Sequence, residues 1–287
     1  MSAFPSIRTD WRHTVAACYI GYIMQAIVNN FAPLLFLTFA SEFHLALRQI
    51  TLITTINFCV QLTVDALSAK LIDRIGYRTS IVAGHLFSGV GLAGLALFPS
   101  FVPSAYTGII VAVMLYAVGG GVTEVLISPI VENCPIEEKR KAAAMSLLHS
   151  FYCWGFMSVI LLSTLFFATA GIGRWRVLSL LWALVPFANA VYFCFVPMFA
   201  PVAGSAGEAA TPSGSIRALL KNGVFWLLAA LMVASGASEH AIGQWVSAFA
   251  ESALHVSKTA GDLAGPCLFA FAQGLSRAVY GSSGGRK

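Results

Sequence analysis

Three acidic residues, Asp65, Glu124 and Glu239, lie inside long apolar stretches of this 287-residue chain. A charged side chain in such a stretch is costly unless it has a partner or lines an aqueous cavity, so each acid marks a candidate functional site. Asn57 and Gln61 precede Asp65 at intervals of four residues, which puts all three on one face of a helix. We expect that polar face to line a cavity and not to contact lipid.

Glu124 has the sequence context best suited to proton chemistry. Glycines at 119–121 precede it and Pro129 follows it, so that neighbouring backbones can approach and the helix can bend. Removal from water favours the neutral form of a carboxyl group, and a carboxyl that binds and releases a proton can couple protonation to a conformational change. We therefore predict Glu124, Glu239 and Asp65 as proton-coupling residues. The alternative is that each only hydrogen-bonds a neighbouring helix.

Other polar side chains in the apolar stretches are candidates for binding a small polar solute. Amides both donate and accept hydrogen bonds, a histidine can bind hydroxyl groups or relay a proton, and a tryptophan can stack on a sugar ring. Pairing between helices and aromatic packing are the competing interpretations. The candidates are Gln25, Asn29, Asn30, Asn57, Gln61, His149, Gln244 and Trp245.

The elements that carry these residues are predicted to be membrane-spanning helices. The chain is 58% hydrophobic and 10% charged, with a mean hydropathy of +0.80, whereas about 25% of residues are charged in an ordinary soluble domain. A span needs about 20 mostly apolar residues. Eight stretches qualify, at 13–40, 49–71, 79–98, 105–130, 142–170, 175–198, 222–250 and 260–280. The predicted fold class is an all-α polytopic membrane protein.

The distribution of basic residues predicts the orientation. With the N-terminus inside, all of the 17 lysines and arginines fall on inner segments except Arg48, Arg174, Arg176 and Lys258. Because basic residues favour cytoplasmic loops, we expect a multi-pass protein of the cell membrane, plasma or inner, with both termini cytoplasmic. The same rule explains the net charge of +5 without a nucleic-acid partner.

Several function classes find no support in the sequence. No nucleophile–base arrangement, phosphate-binding loop or metal-ligand spacing stands out, so we predict that the chain is not an enzyme and uses no cofactor or metal. The partners that the sequence implies are a small-molecule substrate, protons and the lipid bilayer.

A stretch rich in Gly, Pro and Ser divides the chain. It has the composition of a flexible linker and separates six spans from two. The predicted organisation is an N-terminal six-helix bundle at 1–198, a cytoplasmic linker at 199–221, and two helices and a tail of a second bundle at 222–287.

The loop after the second span, Asp73-Arg74-Ile75-Gly76-Tyr77-Arg78, resembles the signature loop of the major facilitator superfamily. The resemblance implies a gating role for Asp73, Arg74, Gly76 and Arg78, and two helix bundles that rock around a midplane site. Ala69 and Tyr77 depart from the family pattern. Members have about twelve spans, so the chain is expected to be C-terminally truncated, without spans nine to twelve.

Within that superfamily, three segments are similar to the fucose permease group: 119–129, 147–155 and 239–245. The similarity implies uptake of a small polar solute, a sugar, by symport with protons. The group has an acidic residue in its first span, where this chain has Asn29 and Asn30. Two alternatives stay open, namely a non-transporting truncated form or helper that pairs with another chain, and efflux of a small organic compound.

Overall fold

The computed structural model describes residues 6–199 and 220–283, and the side chains of 69–71, 73 and 281–283 lie outside that description. The described part is almost entirely helical, and no strand occurs in it. The helices of the first part are α1 (Trp11–Asn30), α2 (Phe36–Glu42), α3 (Leu47–Ile75), α4 (Tyr77–Phe101), α5 (Ala105–Glu132), α6 (Glu138–Ala170) and α7 (Trp175–Phe195). They are followed by α8 (Gly223–Ala253), α9 (Lys258–Asp262) and α10 (Leu268–Ser283).

Seven helical segments in the described ranges are long and apolar enough to cross a membrane: Trp11–Glu42, Leu47–Ser68, Tyr77–Phe101, Ala105–Glu132, Glu138–Ala170, Ile172–Phe195 and Gly223–Ala253. The prediction of an all-α polytopic membrane protein is confirmed. The predicted boundaries at 198 and 221 stay predictions, because residues 200–219 lie outside the described ranges.

The eighth predicted stretch is helical but interrupted, and it is not among those seven. A π-helical turn, Leu263–Cys267, separates α9 from α10. Pro266 lies inside this turn and has no backbone N–H to donate, which explains why regular α-helical bonding stops there. The first stretch also bends, because a 3₁₀ turn with Pro33 at its start joins α1 to α2.

The first and sixth spans run in opposite directions, as contacts between their ends show. The Thr14 hydroxyl near the start of α1 donates to the Pro197 carbonyl beyond α7 at 2.5 Å. At the other end, the Trp175 indole N–H, at the start of α7, donates to the Glu42 carboxylate at 2.8 Å. We call the end of the bundle where α1 begins the N-terminal end, and we call the other end the opposite end.

The glycines at 119–121 bring α5 close to three other helices. A Cβ on Gly119 would clash with the Gly84 carbonyl of α4, and one on Gly120 would lie 3.0 Å from Gln25 Oε1 of α1. One on Gly121 would lie 3.0 Å from the Val64 side chain of α3. The prediction that these glycines permit close backbone approach is confirmed, and the same packing fixes Glu124 one turn further along.

The last helices differ in how they meet the first part. Helix α10 packs along α6, where Gly274 approaches Cys153 and Trp154. Helix α8 buries only Gln244 and Ser247, and none of its span window is buried, against 72% for the first span. Most of α8 therefore presents its apolar side chains to the surroundings of the bundle.

Candidate functional site

A polar cavity of about 330 Å³ lies between α1, α3, α5, α6, α8 and α10. It brings together all three predicted carboxylic residues with four of the predicted solute-binding residues. Its lining comprises Tyr22, Gln25, Asn29, Phe58, Gln61, Leu62, Asp65, Glu124, His149, Tyr152, Glu239, His240 and Arg277. Its volume is near the lower limit of the usual range for ligand pockets, about 300–1,000 Å³.

A network of buried amides forms one wall of this cavity. Gln61 Nε2 donates to Asn29 Oδ1 at 2.8 Å and to Asn57 Oδ1 at 3.0 Å. Asn57 Nδ2 donates to the same Asn29 oxygen at 3.3 Å. The polar face predicted on α3 therefore exists, but Asn29 of α1 absorbs much of its hydrogen-bonding capacity.

Gln25 connects that network to the central acid. Its Nε2 donates both to Gln61 Oε1 at 3.0 Å and to Glu124 Oε2 at 3.2 Å. Glu124 is exposed to the cavity and not sealed among side chains. Within the described part of the chain, the buried atoms Gln25 Oε1 and Asp65 Oδ1 accept no hydrogen bond. Next to the cavity the wall thus holds two acceptors that stay unpaired.

A second wall comes from α6 and α10. The His149 ring lies against Tyr22, with centroids 5.4 Å apart, and the Tyr22 and Ser128 hydroxyls are 3.0 Å apart. The Ser146 hydroxyl donates to the Arg277 carbonyl at 3.0 Å, which fixes α10 against α6 beside His149. Basic and hydrogen-bonding groups therefore face the acids and amides across the cavity.

Four predicted solute-binding residues lie outside the lining of this cavity. Asn30 donates to its own helix at the Ala26 carbonyl and to the Tyr152 hydroxyl. Asn57 and Gln244 line a neighbouring cavity of only about 10 Å³, and Gln244 Nε2 donates to the Asn29 carbonyl at 2.8 Å. Trp245 packs on Phe36, with ring centroids 5.2 Å apart.

Sequence reasoning missed two charged or titratable residues of the cavity. Arg277 is one of the basic residues that predict the orientation, and it lies one turn after Gln273 on the same helix face. His240 follows Glu239 directly, and its ring contacts Phe58 with centroids 4.6 Å apart. His240 likewise lies four residues before Gln244, but spacing along one helix does not show that the face it shares meets the cavity.

The loop predicted to act in gating has a clear local structure. Gly76 has φ +88°, a conformation that suits glycine, and it ends α3 and begins α4. The Arg78 guanidinium donates to the Phe193, Cys194 and Val196 carbonyls at 3.0, 2.8 and 2.9 Å. Arg78 thereby satisfies the C-terminal carbonyls of α7. Arg74 is exposed, and the Asp73 side chain lies outside the described residues.

A different polar cluster joins the two parts of the chain at the opposite end. Asp262 is fully buried, accepts from the Thr164 hydroxyl at 2.9 Å, and also accepts from the Ser247 hydroxyl. Lys258 Nζ lies 3.4 Å from Asp262 Oδ2 and donates to the Leu34 carbonyl at 2.8 Å. We call these five residues the Asp262 cluster. It borders a second cavity of about 560 Å³.

The arrangement offers no metal centre in the described residues, since no group of three or more His, Cys, Asp or Glu side chains is disposed to hold an ion. The chemistry available in the first cavity is hydrogen bonding to a hydroxylated solute and proton exchange at carboxyl groups.

Comparisons with known proteins identify the fold. The profile of the Major Facilitator Superfamily matches residues 18–286. The crystal structure of a D-xylose-proton symporter superposes with a TM-score of 0.61 at 13% sequence identity. The match covers 94% of this chain and 64% of that one, so the chain spans less than two thirds of the symporter's length. No curated protein matches the sequence.

Proposed function

Because the chain belongs to the major facilitator superfamily, we propose that it is a transmembrane transporter of a small polar solute, a sugar, that moves together with protons. The observation that carries this proposal is the cavity in which an amide network ends on Glu124. The similarity to the fucose permease group agrees with the same substrate class.

The amide wall suits a sugar because it offers donors and acceptors at fixed positions. Gln25, Asn29 and Gln61 are each at most 6% exposed, so their hydrogen-bond geometry is held by the surrounding helices. A site built from buried amides rejects a solute that lacks matching hydroxyls, since its polar groups would then stay unpaired.

Gln25 links the proton to the solute. Its Nε2 donates to Glu124 Oε2, an interaction that requires a lone pair on that oxygen. When a proton binds this oxygen, the new O–H is itself a donor, and a turned Gln25 amide can accept from it with its oxygen, which now has no partner. Turning the amide also changes its bond to Gln61, and through Gln61 the whole solute-binding wall.

The Asp262 cluster supplies the closure that alternating access requires. The bond from Thr164 to Asp262 joins α6 to α9. The bond from Lys258 to the Leu34 carbonyl joins α9 to the turn between α1 and α2. Opening the opposite end has to break these bonds, whereas the bond from Lys258 to Asp262 stays within one helical segment. Since we predict that both termini are cytoplasmic, this end faces outwards in the proposal.

The test is uptake of labelled sugars, D-xylose and L-fucose among them, into proteoliposomes with and without an inward proton gradient. We expect uptake that the gradient drives and that Glu124→Gln abolishes. Glu132→Gln is the matched control, because Glu132 is an exposed acid at the end of the same helix. Uptake that ignores the gradient would contradict proton coupling.

A second candidate function, assembly with another chain, is favoured by α8. Its large apolar residues, among them Leu227, Leu231 and Met232, are exposed. Cross-linking from Met232→Cys, compared with Leu184→Cys at an exposed position of α7, distinguishes a protein contact from lipid. A cross-linked partner seen only from position 232 would support assembly, and equal labelling by lipid reagents at both positions would oppose it.

A further inference from the structure

Arg277 differs from the other cations that lie near acids in this structure. Lys141, Arg176 and Lys258 each form an ion pair, with Glu138, Glu42 and Asp262 at 2.8, 2.7 and 3.4 Å. In the described ranges, no carboxylate lies within 4.0 Å of the Arg277 guanidinium, and its side chain makes no hydrogen bond. A half-buried arginine without a partner, beside a cavity, is free to bind an anion.

The surroundings of Arg277 favour an anion from outside the chain. The guanidinium lines the cavity and interacts electrostatically with His149 and Tyr22. Its planar fork donates two parallel hydrogen bonds to a carboxylate, a geometry that a lysine cannot offer. His149 and the Tyr22 hydroxyl are further donors beside it. These groups form a wall of hydrogen-bond donors on the α6 and α10 side, and Arg277 carries its positive charge.

The opposite wall restricts the charge of such a ligand. Asp65, Glu124 and Glu239 line the same cavity, so an anion with several charges would be repelled more than one guanidinium can offset. A single carboxylate matches Arg277, and the hydroxyl groups of the same molecule match Gln25, Asn29 and Gln61. The volume of about 330 Å³ suits a molecule of monosaccharide size.

We infer that the solute is a hydroxylated monocarboxylate, a sugar acid, whose carboxylate binds Arg277 while its hydroxyls bind the amide wall. The inference rests on the proposed transport function and narrows its substrate class. It makes Arg277 a residue that determines specificity by contact with the solute.

The experiment compares each acid with its neutral parent on the purified 287-residue chain in nanodiscs. Affinities of D-xylonate and D-xylose, and of D-galacturonate and D-galactose, are measured by isothermal titration. We expect at least one acid to bind about tenfold or more tighter than its parent. Arg277→Gln should remove this preference by lowering the affinity for the acid to about that for its neutral parent, and Arg277→Lys should restore part of it.

Arg140→Gln is the matched control, since it removes an exposed cation from the same end of the bundle without altering the cavity. Its affinities should stay within about twofold of the unmodified chain. Neutral sugars that bind as tightly as their acids, with no effect of Arg277→Gln, would overturn the inference and leave sugar transport standing. Absence of binding by every acid and every neutral sugar would overturn both.

Discussion

The Asp262 cluster and the Glu124 cavity both lie between α1–α7 and α8–α10, but their buried polar groups differ in how many partners they have. In the Asp262 cluster, both carboxylate oxygens of Asp262 have partners, and Lys258 also bonds a backbone carbonyl. Around Glu124, in contrast, Gln25 Oε1 and Asp65 Oδ1 have none among the described residues. Saturated polar groups hold elements together, whereas a buried polar atom without a partner is costly and gains from any rearrangement that pairs it. We therefore interpret the Asp262 cluster as a closure and the Glu124 cavity as the proposed solute site.

The largest effect expected from this comparison is on stability, at the Asp262 cluster. Asp262→Ala leaves the Lys258 ammonium without its carboxylate and two hydroxyls without an acceptor, so the free energy of unfolding should fall by about 3–5 kcal/mol. Reversible denaturation in detergent measures this change.

Two further variants distinguish the cluster from its cavity. Glu251→Ala removes a half-buried acid that lines the same 560 Å³ cavity, and it should change the free energy of unfolding by no more than about 0.5 kcal/mol. Replacing Asp262 and Lys258 together by Asn and Met should recover part of the loss, because no unpaired charge is left. Equal losses for Asp262→Ala and Glu251→Ala would remove the distinction between the two ends.

At the Glu124 cavity the larger effect should be on binding. Gln61→Leu removes donors and acceptors to Gln25, Asn29 and Asn57, so solute affinity should fall about tenfold to a hundredfold. Thr63→Val is the control, since the exposed Thr63 hydroxyl bonds only the Cys59 carbonyl of its own helix. Equilibrium binding measures both variants, and an unchanged affinity in Gln61→Leu would show that the amide wall does not contact the solute.

A smaller effect on stability is expected when a methyl group is added to a tightly packed glycine of α5, compared with an exposed glycine of α8. Gly119→Ala pushes a methyl group into the Gly84 carbonyl and the Ser88 hydroxyl, and it should destabilise the protein by about 1–3 kcal/mol. Gly236→Ala meets nothing within 4 Å and should be neutral or stabilising, by up to about 1 kcal/mol. Thermal unfolding midpoints measure the pair, and a reversed order would contradict the packing described for α5.

Features that repeat along one helix were predictable from the sequence. The four-residue spacing of Asn57, Gln61 and Asp65 predicted a polar face, and the glycines at 119–121 predicted close approach around Glu124. Seven of the eight predicted spans are helices of membrane length, because length and apolar composition suffice to identify them.

Features that depend on which helices meet were not predictable. Asp262 and Lys258 are four residues apart, but their partners Thr164 and Leu34 come from distant segments. Arg277 reaches the cavity only because α10 packs beside His149. Periodicity shows which residues share a face, and it does not show what that face contacts.

The central claim is that Glu124 couples proton movement to the solute bound in its cavity. The most direct measurement is the pH of a weakly buffered medium when solute is added to proteoliposomes that contain the chain. The account predicts that the medium becomes alkaline as protons enter with the solute. Glu124→Gln should abolish this signal while exchange of labelled for unlabelled solute continues. An alkalinisation of the same size in Glu124→Gln would contradict the claim.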